Sequence, residues 1–409
     1  MRLSRVKVCK ADFPVFEKYK DLVYLDSSAT TQKPRAVLDA VNRYYFEENA
    51  NPFRGLYELS AKATQGYEDA RESVREFIGA DSKEEIVFTR NATESLNLIA
   101  YSFGRDNINE GDEILVAISE HHSNFLPWQQ IAEQKGAKIN FLETDKSGLY
   151  TADSLKAALT PKTKIFAIAQ ISNVFGRINP IKEFADICHQ NGTLIVCDAA
   201  QSAPHIHIDV KELDVDFLAF SGHKMLAPMG IGVLFGKRDI LDKMPPFLYG
   251  GEMIEYVTRC GATYAPLPHK FEAGTVNVGG AVGLKAAIDY MNDLGFDDII
   301  ARERELTTLA FEKMREIPFV DIIGGDKAED HHGIITFTID GVHPHDISAI
   351  FDADGIAIRA GHHCAQPLHR DLSVPSSARM SLSFYNDEED IEKFINTLKT
   401  IRGRMGYGG

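Results

Sequence analysis

The chain has 409 residues, 44% of them hydrophobic and 25% charged, with a formal net charge of −15. This is an ordinary composition for a globular protein with a large core and room for two domains, and the acidic balance argues against a nucleic-acid-binding surface and does not favour anionic membranes. No apolar segment approaches the ~20 residues needed to cross a bilayer, and five scattered cysteines (9, 188, 197, 260 and 364) form no disulfide framework and fit a reducing cytoplasm.

The basic opening at 1–7 has no apolar run behind it and does not read as a secretory signal. Residues 1 to about 25 read as a short helix and an edge strand over 22–25. The polar turn Asp26-Ser27-Ser28-Ala29-Thr30-Thr31 follows, and either lines a ligand site or caps the helix that starts near Pro34. Val37, Ala40, Val41 and Tyr44 form a helical stripe over 34–48; after a break at 51–55, a longer helix is expected over 60–78. A strand at 85–89 runs into Arg90-Asn91-Ala92-Thr93-Glu94 and a further helix. Such a turn suits phosphate, because free N–H groups and the helix dipole face the anion, but it is equally an ordinary N-cap.

The strand at 114–118 releases Ser119-Glu120-His121-His122-Ser123-Asn124, where a histidine either stacks on a flat ring, moves protons or is merely structural. Strands at 139–142 and 164–169 follow, the second leading to Asn173, then a helix over 181–190 and a strand at 193–197 that ends on Asp198. The buried-type run Phe217-Leu218-Ala219-Phe220 opens into Ser221-Gly222-His223-Lys224. Two successive strands thus deliver a carboxylate and a lysine to one sheet edge, where functional groups collect. That pair suits pyridoxal phosphate: the lysine joins the cofactor covalently and the carboxylate keeps the pyridine nitrogen protonated. Alternating strands and helices from 85 to 235 predict a mostly parallel, doubly wound α/β sheet.

Beyond 235 lies a polar and aromatic region, then Phe271-Glu272-Ala273-Gly274-Thr275 and a long helix from about 279 that is expected to leave the large domain. A second, α+β domain is expected from a helix at 299–316, strands at 320–323, 334–338, 356–358 and 378–383, and helices at 345–353 and 387–402. Between them, Arg359-Ala360-Gly361-His362-His363-Cys364-Ala365 places a cysteine beside histidines and an arginine, the surroundings that make a thiolate nucleophile. A metal site built from His362, His363, Cys364 and His369 is the weaker reading, because neighbouring residues rarely share one tetrahedral ion.

Taken together, Ser-Gly-His-Lys at 221–224, Asp198 with Gln201, Glu-His-His-Ser-Asn at 120–124, Phe-Glu-Ala-Gly-Thr at 271–275 and the 359–365 loop resemble the SufS-type, group II cysteine desulfurases, class V members of the fold-type I pyridoxal-phosphate enzymes. The resemblance runs from about 11 to 400. It implies a large cofactor domain over 26–280 and a small domain from 1–25 and 281–409 that carries the cysteine loop. It further implies that Lys224 is the Schiff-base lysine, that Asp198 partners the pyridine nitrogen and Gln201 the phenolic oxygen, and that His121 stacks on the ring while His122 has no such role. Thr93, Ser221 and His223 match phosphate contacts, and Thr275 matches one supplied by the second subunit of a homodimer. Asn173 and Arg379 match the groups that hold the substrate carboxylate, and Cys364, with Arg359 close by, matches the nucleophile that takes sulfur from L-cysteine and leaves L-alanine. No resident metal is expected.

Two departures qualify the match. Phe53 and Tyr57 stand where the family usually has histidines, which argues against a polar role for that loop. Val342-His343-Pro344-His345-Asp346 resembles the segment of enzymes that pass sulfur to a zinc-containing SufU acceptor, where a residue matching His343 takes over a zinc position; the same residues also suit a helix N-cap, and SufE is the other acceptor type. Rival readings are a selenocysteine lyase, a class V lyase or aminotransferase that ignores the cysteine, and a non-catalytic partner or metal carrier. The intact set of Lys224, Asp198, His121, Arg379 and Cys364 weighs against the last two.

Overall fold

Apolar runs bounded by turns become fifteen strands in the structure, a computed structural model that describes Val6 and residues 9–407. In chain order they are β1 (Val23–Tyr24), β2 (Ile86–Thr89), β3 (Glu113–Ala117), β4 (Lys138–Leu142), β5 (Thr163–Ala169), β6 (Leu194–Asp198), β7 (Phe217–Ser221) and β8 (Gly232–Gly236). Then come β9 (Ile254–Val257), β10 (Ala262–Tyr264), β11 (Val320–Ile323), β12 (Ile334–Ile339), β13 (Ile356–Ala357), β14 (Arg359–Gly361) and β15 (Ser377–Ser381). The basic opening read against a secretory signal lies, apart from Val6, outside the described residues.

The large sheet has the order β2-β8-β7-β6-β5-β3-β4 and is parallel except at β8, which pairs antiparallel with both β2 and β7. Its central strands are buried on both faces, as in a parallel sheet covered by helices. Ile165, Ala167, Phe217 and Ala219 face one apolar layer, and Phe166, Ile168, Leu218 and Phe220 the other. The expected mostly parallel α/β sheet is therefore present, with the fold-type I arrangement the resemblance implied.

A second sheet, β11-β12-β15-β14, is antiparallel throughout. Its core joins Ile335, Phe337 and Met380 to Leu306 and Phe311 of helix Phe296–Arg315 and to Phe394 and Leu398 of helix Glu388–Arg404. The N-terminal segment adds to this side, because β1 pairs with β13 and Val23 and Leu25 share its core. Helix Val278–Leu294, by contrast, packs Ala281, Leu284, Ala287 and Ile288 into the large-sheet core. It stays with the large unit where the sequence suggested an exit; Phe296 and Ile299 of the next helix still join that core, and Leu306 joins the second.

Sequence periodicity missed the hairpin β9–β10, whose residues are mostly exposed and carry no alternating apolar face. It also missed the short helices Leu126–Lys135 and Ala152–Ala158. No helix among the described residues is long and apolar enough to cross a membrane.

Candidate active site

Because the parallel strands share one direction, their C-terminal ends release their loops on one side, where ligands of open α/β sheets bind. There, a cavity of about 260 Å³ is lined by Thr93, His121, Asn173, Asp198, Gln201, Ser221, His223, Lys224, Arg359, Cys364 and Arg379, among others. Eleven of the twelve candidate residues thus open on one space. The twelfth, Thr275, is exposed and borders a different hollow beside Tyr45 and Asn277.

Lys224 leaves the short turn Gly222–Lys224 just past β7. Burial drives its amine down to about 8, Asp198 pulls the other way, and Arg379 adds to the fall. Asp198 closes β6; one carboxylate oxygen accepts from Ala200 N at 2.9 Å. Burial raises its carboxyl, while that N–H and Lys224 favour the charged form. Beneath it lies Glu120, a carboxyl that the sequence did not single out. Burial and the neighbouring Asp198 push it up to about 8, so at neutral pH it is mostly uncharged. Its oxygens accept from Ala169 N and Asn124 Nδ2, which ties the His121 turn to β5.

His121 Nδ1 accepts from Ser123 N at 3.1 Å, which leaves the proton of the neutral ring on Nε2. Burial, then the charges of Lys224, His122 and Arg379, lower the ring to about 3, so it is neutral at any working pH. Gln201 Nε2 donates to Ser28 O at 3.0 Å. Ser221 Oγ accepts from Ala92 N at 2.8 Å, and Gly232 makes that approach possible: a Cβ there would sit 2.4 Å from the Asn91 backbone. The Asn91 side chain caps the helix by accepting from Glu94 N. Thr93 Oγ1 meets Ser123 Oγ at 2.7 Å.

The arginines arrive by register. β14 pairs with β15 so that Arg359 stands directly opposite Arg379. Like charges so placed repel, and Asp26 bridges them, 2.9 Å from Arg359 Nη2 and 3.5 Å from Arg379 Nη2. Arg379 Nη1 also donates to Asn173 O at 2.9 Å. Burial lowers the Arg379 guanidinium to about 10, which leaves it charged at neutral pH.

Cys364 is exposed, and both it and His363 have left-handed backbones, φ 58° and 52°. Two contacts from the large-sheet side hold this pair, and a third ties the same loop to His122 through Gln366. His122 N donates to Cys364 O at 2.8 Å, Asn173 Nδ2 to His363 O at 2.7 Å, and Gln366 N to His122 Nε2 at 3.2 Å. His122, for which the resemblance implied no cofactor role, is thus a strut of the cysteine loop. His363 Nε2 and His369 Nε2 both meet Ser377 Oγ, and among the described residues no three His, Cys, Asp or Glu side chains are grouped as metal ligands.

Phe53, also with φ 71°, packs edge-on against Tyr67 and His269, Tyr57 is exposed, and the loop's polar contacts come from Arg54, paired with Glu252 at 3.0 Å, and from backbone N–H groups. His343 is the N-cap of helix Pro344–Ala353, its Nδ1 accepting from His345 N at 3.2 Å. The Asp26–Thr31 turn caps nothing: helix Arg35–Arg43 begins at Pro34 without a side-chain cap, and Ser28 and Ala29 line the cavity.

Residues 23–394 match the family model described as aminotransferase class-V. The chain belongs to that family and, within it, to the cysteine desulfurases. It is 48% identical over 398 residues to a probable cysteine desulfurase of Halalkalibacterium halodurans, covering 97% of each chain. A probable cysteine desulfurase of Staphylococcus aureus is 49% identical, over 97% of this chain and 96% of the relative. Among solved structures, the apo cysteine desulfurase of Thermococcus onnurineus NA1 superposes with a TM-score of 0.93 at 38% identity, covering 97% of this chain and 98% of that one. The cysteine desulfurase CsdA of Escherichia coli, solved with an S-sulfonic acid, gives 0.90 at 37% identity, with the same coverages.

Pyridoxal phosphate is the cofactor of this class, and the site fits it. Gln201 Oε1, His223 Nδ1, Ser28 Oγ and Arg379 Nε are buried without hydrogen-bond partners, an arrangement that is costly unless a polar ligand completes it.

Proposed function

We propose that the chain takes sulfur from L-cysteine onto Cys364, releases L-alanine, and hands the sulfur to an acceptor protein of SufU or SufE type for iron–sulfur cluster assembly in the cytoplasm. One observation carries the reading: Lys224, Asp198, Arg379 and Cys364 line a single cavity. It unites an amine for a carbonyl, a carboxylate for a pyridinium, a guanidinium for a carboxylate and a thiol for a sulfur atom.

Lys224 would hold the cofactor covalently, Asp198 its ring nitrogen, Gln201 its phenolic oxygen and His121 its face. Thr93, Ser221, His223 and Thr275 of the partner subunit would hold its phosphate. Bound there, pyridoxal phosphate supplies a sink for the electron pairs released at the substrate's carbons. Arg379, fixed by Asn173, holds the substrate carboxylate, with Arg359 beside it. Lys224, whose amine lies near 8, takes the α-proton and returns it. The Cys364 thiolate attacks the substrate sulfur; the S–Cβ pair passes to carbon, which then gains a proton. One S–S bond forms, one C–S bond breaks, and the products are L-alanine and an enzyme persulfide.

On this reading 26–280 form the cofactor domain and 1–25 with 281–409 the smaller one, with helix Val278–Leu294 packed on the cofactor side. The chain works as a homodimer, and exposed His343 serves acceptor docking by displacing a zinc ligand. The test is intact mass after brief exposure to L-cysteine without reductant. Wild type gains one sulfur with alanine released, and Cys364→Ala gains none. Alanine without a sulfur adduct on wild type would sink the role of Cys364.

A further inference from the structure

The turn that carries Lys224 is held in a conformation its own side chains oppose. Leu226, two residues on, has φ 68°, a left-handed backbone that persists in a non-glycine residue only where the surroundings over-determine it. Part of the constraint is local: Gly222 O accepts from Met225 N at 2.9 Å and Ala227 N at 3.0 Å. The rest comes from the segment just before Pro34. His223 O, one peptide bond before Lys224, is approached by Thr31 N, Thr30 Oγ1 and Thr31 Oγ1, each at 3.1 Å, and by Lys33 Nζ at 2.9 Å. Thr31 Oγ1 in turn accepts from Leu226 N at 2.9 Å.

Lys33 makes the shortest of these contacts to His223 O. Its acceptors among the described residues are Thr31 O, Thr31 Oγ1 and His223 O, with no carboxylate. Burial alone lowers its amine, to about 7. A half-buried amine with neutral partners only is a poor device for stability. It is, however, well placed to fix one carbonyl. Helix Arg35–Arg43 makes no use of this segment as a side-chain cap.

We propose that Lys33 is a positioning residue: with Thr30 and Thr31 it clamps the His223–Lys224 peptide, so that the Lys224 side chain leaves the turn towards the cavity. This rests on the reading of Lys224 as the cofactor's lysine. Arg359 and Arg379 are placed by the β14–β15 register, and Asp26, at the far end of the same turn, is held by its bridge to Ser381, so the clamp acts first on the lysine.

The test uses the holoenzyme and Lys33→Met, which keeps length and removes the donor. kcat is expected to fall ~10- to 100-fold, the effect of slight misplacement of a reacting group, with KM for L-cysteine within about twofold. The visible band of the lysine-bound cofactor should titrate at a pH displaced by ~0.5 unit or more. A merely structural lysine would lower the melting temperature and leave that band in place, and this outcome overturns the proposal. If Lys33→Met does not fold, Thr30→Ala should displace the band in the same direction by less, and an unmoved band there also overturns it. Borohydride reduction and peptide mapping of wild type separate the two levels. Cofactor absent from Lys224 refutes the underlying reading, whereas cofactor on Lys224 with an unmoved band in the variants refutes the clamp alone.

Discussion

Glu272, inside the Phe-Glu-Ala-Gly-Thr motif, points away from the Lys224 cavity and into the protein. Its carboxylate accepts from Arg71 Nη1 at 2.7 Å, Arg71 Nη2 at 2.8 Å, Phe88 N at 2.7 Å and Tyr67 OH at 3.1 Å. Arg71 is fully buried, and its guanidinium also lies 5.1 and 4.8 Å from the rings of Tyr67 and Phe88. Glu272→Gln keeps the shape but removes the charge and turns an amide NH₂ towards donors. Removing one partner of a buried pair costs about 3–5 kcal/mol, and the lower end is expected because Arg71 Nη2 keeps Glu68 Oε1 at 3.2 Å. At a urea slope of about 3 kcal/mol/M, the unfolding midpoint should fall by ~1–1.7 M. Trp128, the single tryptophan and fully buried, reports the transition by fluorescence, with variants compared at equal cofactor saturation. The double replacement Arg71→Met with Glu272→Leu removes both charges, and should recover more than half of the loss. A loss below about 1 kcal/mol for Glu272→Gln, or a double variant no better than it, would refute the reasoning. Such a result would mean that Glu272 does not hold its segment on Arg71.

On the proposed reading Lys224 must be neutral to capture the cofactor's carbonyl, and burial lowers its amine from 10.5 to about 8. Cofactor uptake by cofactor-free protein should therefore speed up about tenfold between pH 7 and 9 and level off above; stopped-flow absorbance checks this, and a flat profile refutes it. Asn173→Ala strips the donor from His363 O and leaves that carbonyl unsatisfied, a loss of about 1–3 kcal/mol. It should slow persulfide formation at least ~10-fold, with the visible band of the resting enzyme unchanged; a wild-type rate by quench and mass analysis counts against the strut. Phe46 and Leu56 are among the most exposed large apolar side chains. Phe46→Glu with Leu56→Glu should convert a dimer into a monomer by sedimentation, and an unchanged dimer would exclude these positions from its interface.

The sheet edge was legible because its signals are local. Asp198 ends one apolar run and Lys224 follows shortly after another, and the strand order that makes these ends neighbours follows from alternating elements. The arginine pair was not legible in the same way. Arg359 and Arg379 face each other only because β14 and β15 pair in one register, and a one-residue slip would send them to opposite faces. Short, exposed β14 carries no periodic pattern from which that register could be read. Glu120 was missed because a glutamate beside a His pair reads as solvated, whereas its burial depends on Ala169 and Asn124 arriving from other elements. Helix Val278–Leu294 was assigned to the wrong core for a related reason. Its stripe of small and apolar residues says that it is buried, not against which sheet.

On the proposed reading, Cys364 as the nucleophile needs two opposed properties. It must be exposed enough to deliver sulfur to another protein, yet placed well enough to meet the substrate's sulfur. A free loop would satisfy the first and fail the second, because an unfixed thiol spends most of its time elsewhere. Here the backbone is fixed and the side chain is not. His363 and Cys364 take left-handed angles that no side chain favours, and hydrogen bonds from His122 and Asn173 compensate at their carbonyls. Those two donors belong to loops that follow β3 and β5, while the cysteine loop follows β14 of the other sheet. The thiol's placement is thus set by hydrogen bonds that cross from one sheet's loops to the other's, whereas Lys224 and Asp198 leave neighbouring strands of the large sheet itself.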